Sequence, residues 1–211
     1  MQTDDLIRTL SHDARRKHTP APVRTLLIFA GAALAICVGV ILLAEGARPD
    51  FADAIAFVGM KAGVSALFAL GALPLALALA KPGRRAGVWA VLAFGMFVVV
   101  AVMAATAVGM AAPDARMQAV TGGGFPHNLI VIPILAVPAG IVLFAWLRRQ
   151  APTRLMLAGA TAGLLAGGLS AMAYALVCPV DSLAFVAIWY GLAIAICAGV
   201  GAIAGRWALR W

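Results

Sequence analysis

Apolar residues in this chain come in long blocks, and polar residues are confined to the gaps between them. Six such blocks lie near residues 25–44, 55–80, 87–110, 128–147, 155–176 and 184–205. About twenty residues in a helix rise about 30 Å, the thickness of the hydrocarbon layer of a bilayer. Backbone groups in lipid find no partners except one another, so each block is predicted to be a helix. The pattern predicts an all-α fold, a polytopic bundle of six transmembrane helices over 25–211, preceded by a polar segment over 1–24. The loops are short, and the longest is 111–127. No soluble catalytic domain fits between the helices, so any activity belongs to the bundle, the leading segment or the loops.

Composition agrees. The chain is 64% hydrophobic and 11% charged, whereas a soluble domain is about 45–50% apolar and about 25% charged. The net charge of +8 reads as a topology signal, not as a nucleic-acid site. Thirteen basic residues fall in the leading segment, 81–86, 148–154 and 206–211, against Arg48 and Arg116 in the opposite loops. By the positive-inside bias both termini are expected in the cytoplasm. In a bacterium the protein is then a multi-pass protein of the inner membrane, with Glu45, Asp50, Asp53, Asp114 and Asp181 on the periplasmic side. The polar leading segment, with Asp4, Asp5 and Asp13, does not read as the short basic start of a signal peptide. Leu34-Ala35-Ile36-Cys37 lacks the small residue that a lipoprotein cleavage site needs before its cysteine.

Candidate chemistry is sparse. In the leading segment Thr3 can cap a short cytoplasmic helix, with Asp4 and Asp5 in its first turn. Leu6, Ile7, Leu10 and Ala14 share one face, with Arg8 at its rim. Alone, so short a helix is marginal in water; docked on a protein partner it would be stable. The plain alternative is an unstructured leader. Lys61 lies inside the second block, where it either snorkels to the surface or pairs with Asp50, Asp53 or Asp181. No acid lies deep in a helix, which argues against ion-coupled transport. Met96, Met103 and Met110 repeat every seven residues, suited to packing or to a Cu(I) path in a small metal or solute permease. Gly159, Gly163 and Gly167 face small-residue rows through Gly191 and through Gly201 in the last helix. These two helices are expected to pack closely.

The hairpin between them, Cys178-Pro179-Val180-Asp181-Ser182, gathers a thiol, a carboxylate and a hydroxyl. It is expected to present Cys178 on the outer side, with His127 and Asn128 at the start of the fourth helix. Cys178 and His127 are candidate metal ligands, each with a plainer structural reading. Cys37 and Cys197 read as packing residues, and no CxxC spacing occurs. No nucleophile–base pair appears, so no enzyme activity and no cofactor is expected.

Several pieces taken together carry a resemblance. Thr3-Asp4-Asp5-Leu6-Ile7, Arg48-Pro49-Asp50, Lys61, Lys81-Pro82-Gly83, Ile132-Pro133, and above all Cys178-Pro179-Val180-Asp181-Ser182 with Phe185 and Trp189-Tyr190-Gly191 resemble the NrsF-type membrane anti-sigma factors of proteobacteria. The resemblance implies six helices. It also implies that the leading segment, through Asp4, Asp5, Leu6, Ile7, Arg8 and Leu10, holds an extracytoplasmic-function sigma factor at the membrane. Oxidative or heavy-metal stress would release it, sensed through two cysteines on the outer face. One of these matches Cys178. At the position of the other this chain has Asn128, so a disulfide between the two cannot form here. The resemblance leaves open whether the protein forms oligomers.

Overall fold

The computed structural model describes residues 22–81, 86–122 and 127–210. The leading segment, with Asp4, Asp5, Leu6, Ile7, Arg8 and Leu10, lies outside the described residues. Six helices long and apolar enough to cross a membrane are present: α1 (Pro22–Glu45), α2 (Ile55–Leu79), α3 (Gly87–Met110), α5 (Asn128–Arg148), α6 (Leu155–Tyr174) and α7 (Leu183–Ala208). A short six-residue helix, α4 (Arg116–Thr121), interrupts the loop before α5. The all-helical six-span architecture read from the apolar blocks is therefore the observed one, and the protein is an integral membrane protein.

Two features were not legible in the blocks. One is α4. The other lies in α7, which opens with one α turn (Leu183–Phe185), widens to a π-helical stretch (Val186–Tyr190) and only then runs as a regular α-helix (Gly191–Ala208). Such widened turns frequently mark functional sites in helices. Pro133 and Pro138 sit inside α5 without ending it.

The core is centred on α6. Sixteen of its 20 residues are buried, whereas α3 buries only Ala93, Val100 and Ala104 and gives most of its surface to lipid. What lets α6 occupy the centre is the absence of side chains. A Cβ placed on Gly159 would strike the Gly201 carbonyl oxygen, and one on Gly163 would strike that of Cys197. One on Gly167 would lie 2.9 Å from Cys197 Cβ. The α6–α7 pair is thus in backbone contact along the row Cys197, Gly201 and Gly205. The parallel row through Gly191 is not part of it. Gly191 is buried but meets only Val100 of α3, and Gly199 is exposed with open space around it. The methionine stripe packs over part of its length: Met96 lies beside Gly71 and Met103 against the core, while Met110 is 88% exposed.

Candidate functional site

The segment 46–54, the α4 loop and the hairpin 175–182 meet at one end of the bundle, the hairpin end. Lys61 sits on α2 at this end and is fully buried. An ammonium ion there, cut off from water, needs a counter-charge, because an uncompensated buried charge costs several kcal/mol. Asp181 supplies it: Lys61 Nζ lies 2.7 Å from Asp181 Oδ1. Lys61 Nζ also donates to the Cys178 carbonyl oxygen at 2.7 Å. Of the two sequence-level readings of Lys61, pairing holds and snorkelling does not; of the three candidate acids, Asp181 is the partner.

Arg48 completes the cluster. Its two terminal nitrogens donate to the two oxygens of Asp181, each at 2.7 Å. This is the two-pronged pairing that a planar guanidinium makes with a carboxylate. The same side chain donates to both oxygens of Asp50 and to the Cys178 carbonyl. Two cations and two carboxylates therefore balance, and one arginine ties the α1–α2 connection to the hairpin 130 residues later. The Arg48 side chain is only 8% exposed, and Asp181 23%. Hydrogen bonds from Arg48, then from Lys61, hold the Asp181 carboxyl down to about 2 against the opposing effect of burial. Asp50 is lowered as well, first by Arg48, and the Arg48 guanidinium is raised further by the two carboxylates. Arg48, Asp50 and Asp181 therefore stay charged throughout the neutral range.

The hairpin is also tied to the α4 loop. Ser182 Oγ donates to the Ala119 carbonyl at 2.7 Å and caps the first turn of α7 through Phe185 N–H. Trp189 Nε1 donates to the Val120 carbonyl at 2.8 Å. Gly122 closes α4 in the left-handed conformation with φ +64. A Cβ there would lie 2.9 Å from Val180 and 3.0 Å from Phe185, so the hairpin packs directly over a bare turn.

The thiol is placed differently from expectation. Cys178 stands at the hairpin end but is only 2% exposed. Its N–H continues the end of α6 by bonding the Tyr174 carbonyl, and its own carbonyl is held by Lys61 and Arg48. With both backbone groups fixed, the side chain turns into the bundle beside Tyr174 and Tyr190. These two rings lie 5.9 Å apart. All three cysteines are buried and free. His127 is exposed, and among the described residues no three His, Cys, Asp or Glu side chains converge on a metal-sized site. Asn128 is 1% exposed, and neither atom of its amide has a hydrogen-bond partner. Sequence reasoning missed Arg48 as a site residue. The available signal was that it is one of only two basic residues in the loops at this end.

Comparison with known proteins bears on the whole chain. Residues 10–211 match the family NrsF, described as negative regulator of sigma F. The chain is 36% identical to the anti-sigma-F factor NrsF of Caulobacter vibrioides (strain NA1000 / CB15N), with 100% of both chains covered. It is 33% identical to the probable anti-sigma-F factor NrsF of Azospira oryzae (strain ATCC BAA-33 / DSM 13638 / PS), again over 100% of both. No solved structure matches.

Proposed function

Since the chain belongs to the NrsF family of negative regulators of sigma F, we propose that it is an anti-sigma factor of the bacterial inner membrane with both termini in the cytoplasm. The observation that carries this reading is the end-to-end similarity to two proteins named as anti-sigma-F factors. The distribution of basic residues supports the orientation. On that orientation the terminal end faces the cytoplasm, and the hairpin end with its charge cluster faces the periplasm.

The partner is a sigma factor of the extracytoplasmic-function type, bound by residues 1–24. Leu6, Ile7 and Leu10 grip it, and Asp4, Asp5 and Arg8 form the polar rim. The protein makes no direct contact with nucleic acid. Release follows an oxidative or heavy-metal signal read at the hairpin end, where Cys178, Asp181 and the start of α5 with His127 and Asn128 lie. Because the Cys178 carbonyl is a ligand of both cations in the cluster, any change at this thiol bears on the ties that hold the hairpin.

The test is co-purification. Full-length protein should retain its sigma factor in detergent, and a chain lacking residues 1–18 should insert normally yet lose it. Leu6→Asp with Leu10→Asp should give the same loss with the segment still present. Undiminished sigma binding by the truncated chain would sink the reading.

A further inference from the structure

A groove of about 490 Å³ runs between α5 and α7, over the face of α6. The α5 wall extends from Pro133 to Arg148, fifteen helical rises and so about 22 Å at about 1.5 Å per residue. The floor is made of residues with little or no side chain, Gly163, Ala166 and Gly201, all buried. The rims carry Ile141 and Val200, 66% and 61% exposed, so the groove opens sideways. In a membrane that side is hydrocarbon. Arg148 is the one charged side chain in the lining, and it stands at the terminal end, where α5 stops. Among the described residues Arg148 makes no ion pair. Its neighbour Arg149 is engaged over the Phe29 ring at 5.4 Å.

Chemistry selects the occupant. The lining is apolar except for Arg148 at one end, and the groove opens to hydrocarbon past Ile141 and Val200. A single hydrocarbon chain, whose carbons touch neighbours at about 3.5–4.0 Å, under an anionic headgroup matches both features. We propose that the groove holds one acyl chain of an anionic phospholipid, with the lipid phosphate on Arg148. Basic pockets between transmembrane helices at the cytoplasmic surface take such headgroups.

The test uses the full chain, purified in dodecyl maltoside and stripped of lipid, with bound lipid read by native mass spectrometry. Phosphatidylglycerol should add one molecule per chain, about fivefold more tightly than phosphatidylcholine, the ratio expected for one arginine at a membrane surface. Soluble glycerol 3-phosphate should not bind at the same concentration. Arg148→Gln should abolish the preference between the two lipids. Gly140→Phe should block the chain itself, since a Cβ at Gly140 meets nothing within 4 Å and the ring would grow into the groove. Ala204→Leu, on the opposite wall, should act likewise if the phenylalanine variant fails to fold. An adduct undiminished in both blocking variants would overturn the site. A preference that survives in Arg148→Gln would overturn the headgroup contact, as would equal binding of glycerol 3-phosphate. Dimers lost specifically on blocking the groove would assign it to a second copy and refute the lipid.

Discussion

Lys61 has no exposed surface, and one carboxylate neutralises it. Removing one partner of a buried pair leaves the other uncompensated and typically costs about 3–5 kcal/mol. Asp181→Asn should therefore destabilise the protein by about that amount, read as a lowered thermal midpoint in detergent. Arg48 would keep Asp50, so the orphan is Lys61. Adding Lys61→Met should then restore most of the loss, and a double variant as unstable as the single one would refute this assignment of the cost. The pH dependence follows from the same group. The Asp181 carboxyl is held at about 2, below its ordinary 3.8. A depressed carboxyl contributes stability that is complete above the ordinary value and disappears as pH falls through the folded one. The contribution of Asp181 should thus be constant from neutral pH to about 4 and vanish between about 4 and 2. Mild acid should not open the cluster, and Asp181→Asn should lack that part of the acid transition. That Lys61 needed an acid was legible in the sequence, because a lysine inside an apolar block must be paired or reach the surface. Which acid was not legible, because Asp50, Asp53 and Asp181 differ only in where the α1–α2 connection and the hairpin meet in space.

Among the elements, α6 and α7 carry the closest approach, and it depends on hydrogen atoms where side chains would be. Gly163→Ala puts a methyl group onto the Cys197 carbonyl oxygen. The backbones must separate, at a cost of about 1–3 kcal/mol for an overpacked contact. Gly199→Ala, one exposed turn away with nothing near its Cβ, should be neutral or stabilising by up to about 1 kcal/mol, since alanine is the better helix former. Thermal midpoints of the two variants should move in opposite directions, and equal losses would show that the glycines act through something other than contact. The glycine spacing on α6 announced this face in the sequence, but two small-residue rows on α7 were equally regular. Burial in three dimensions decided between them, and Gly191 faces Val100 instead. The π-helical stretch at Val186–Tyr190 left no trace in hydropathy. It coincides with the tertiary ties of Ser182 and Trp189 to the α4 loop, which periodicity does not record.

For the molecule as a whole, the proposed function requires that the hairpin end influence the terminal end across the bilayer. The α6–α7 pair is the direct connection: the hairpin joins the two helices, and backbone contacts from Gly167–Cys197 to Gly159–Gly205 join them along their length. So tight a contact is poorly suited to bending and better suited to moving as one body. If Arg48, Lys61 and Asp181 hold that body in the position that retains the sigma factor, loosening them should release it. Asp181→Asn, made together with Lys61→Met so that the protein level stays unchanged, should then raise transcription from promoters of the cognate sigma factor without any inducing stress. The same two substitutions in a chain lacking residues 1–18 should add nothing, because the retaining segment is already gone. That dependence separates coupling from mere instability, which would lower the amount of protein in both backgrounds. Promoter activity that stays at the parental level in the double variant, with the protein present and the hairpin loosened, would confine the charge cluster to a structural role and place the sensor elsewhere.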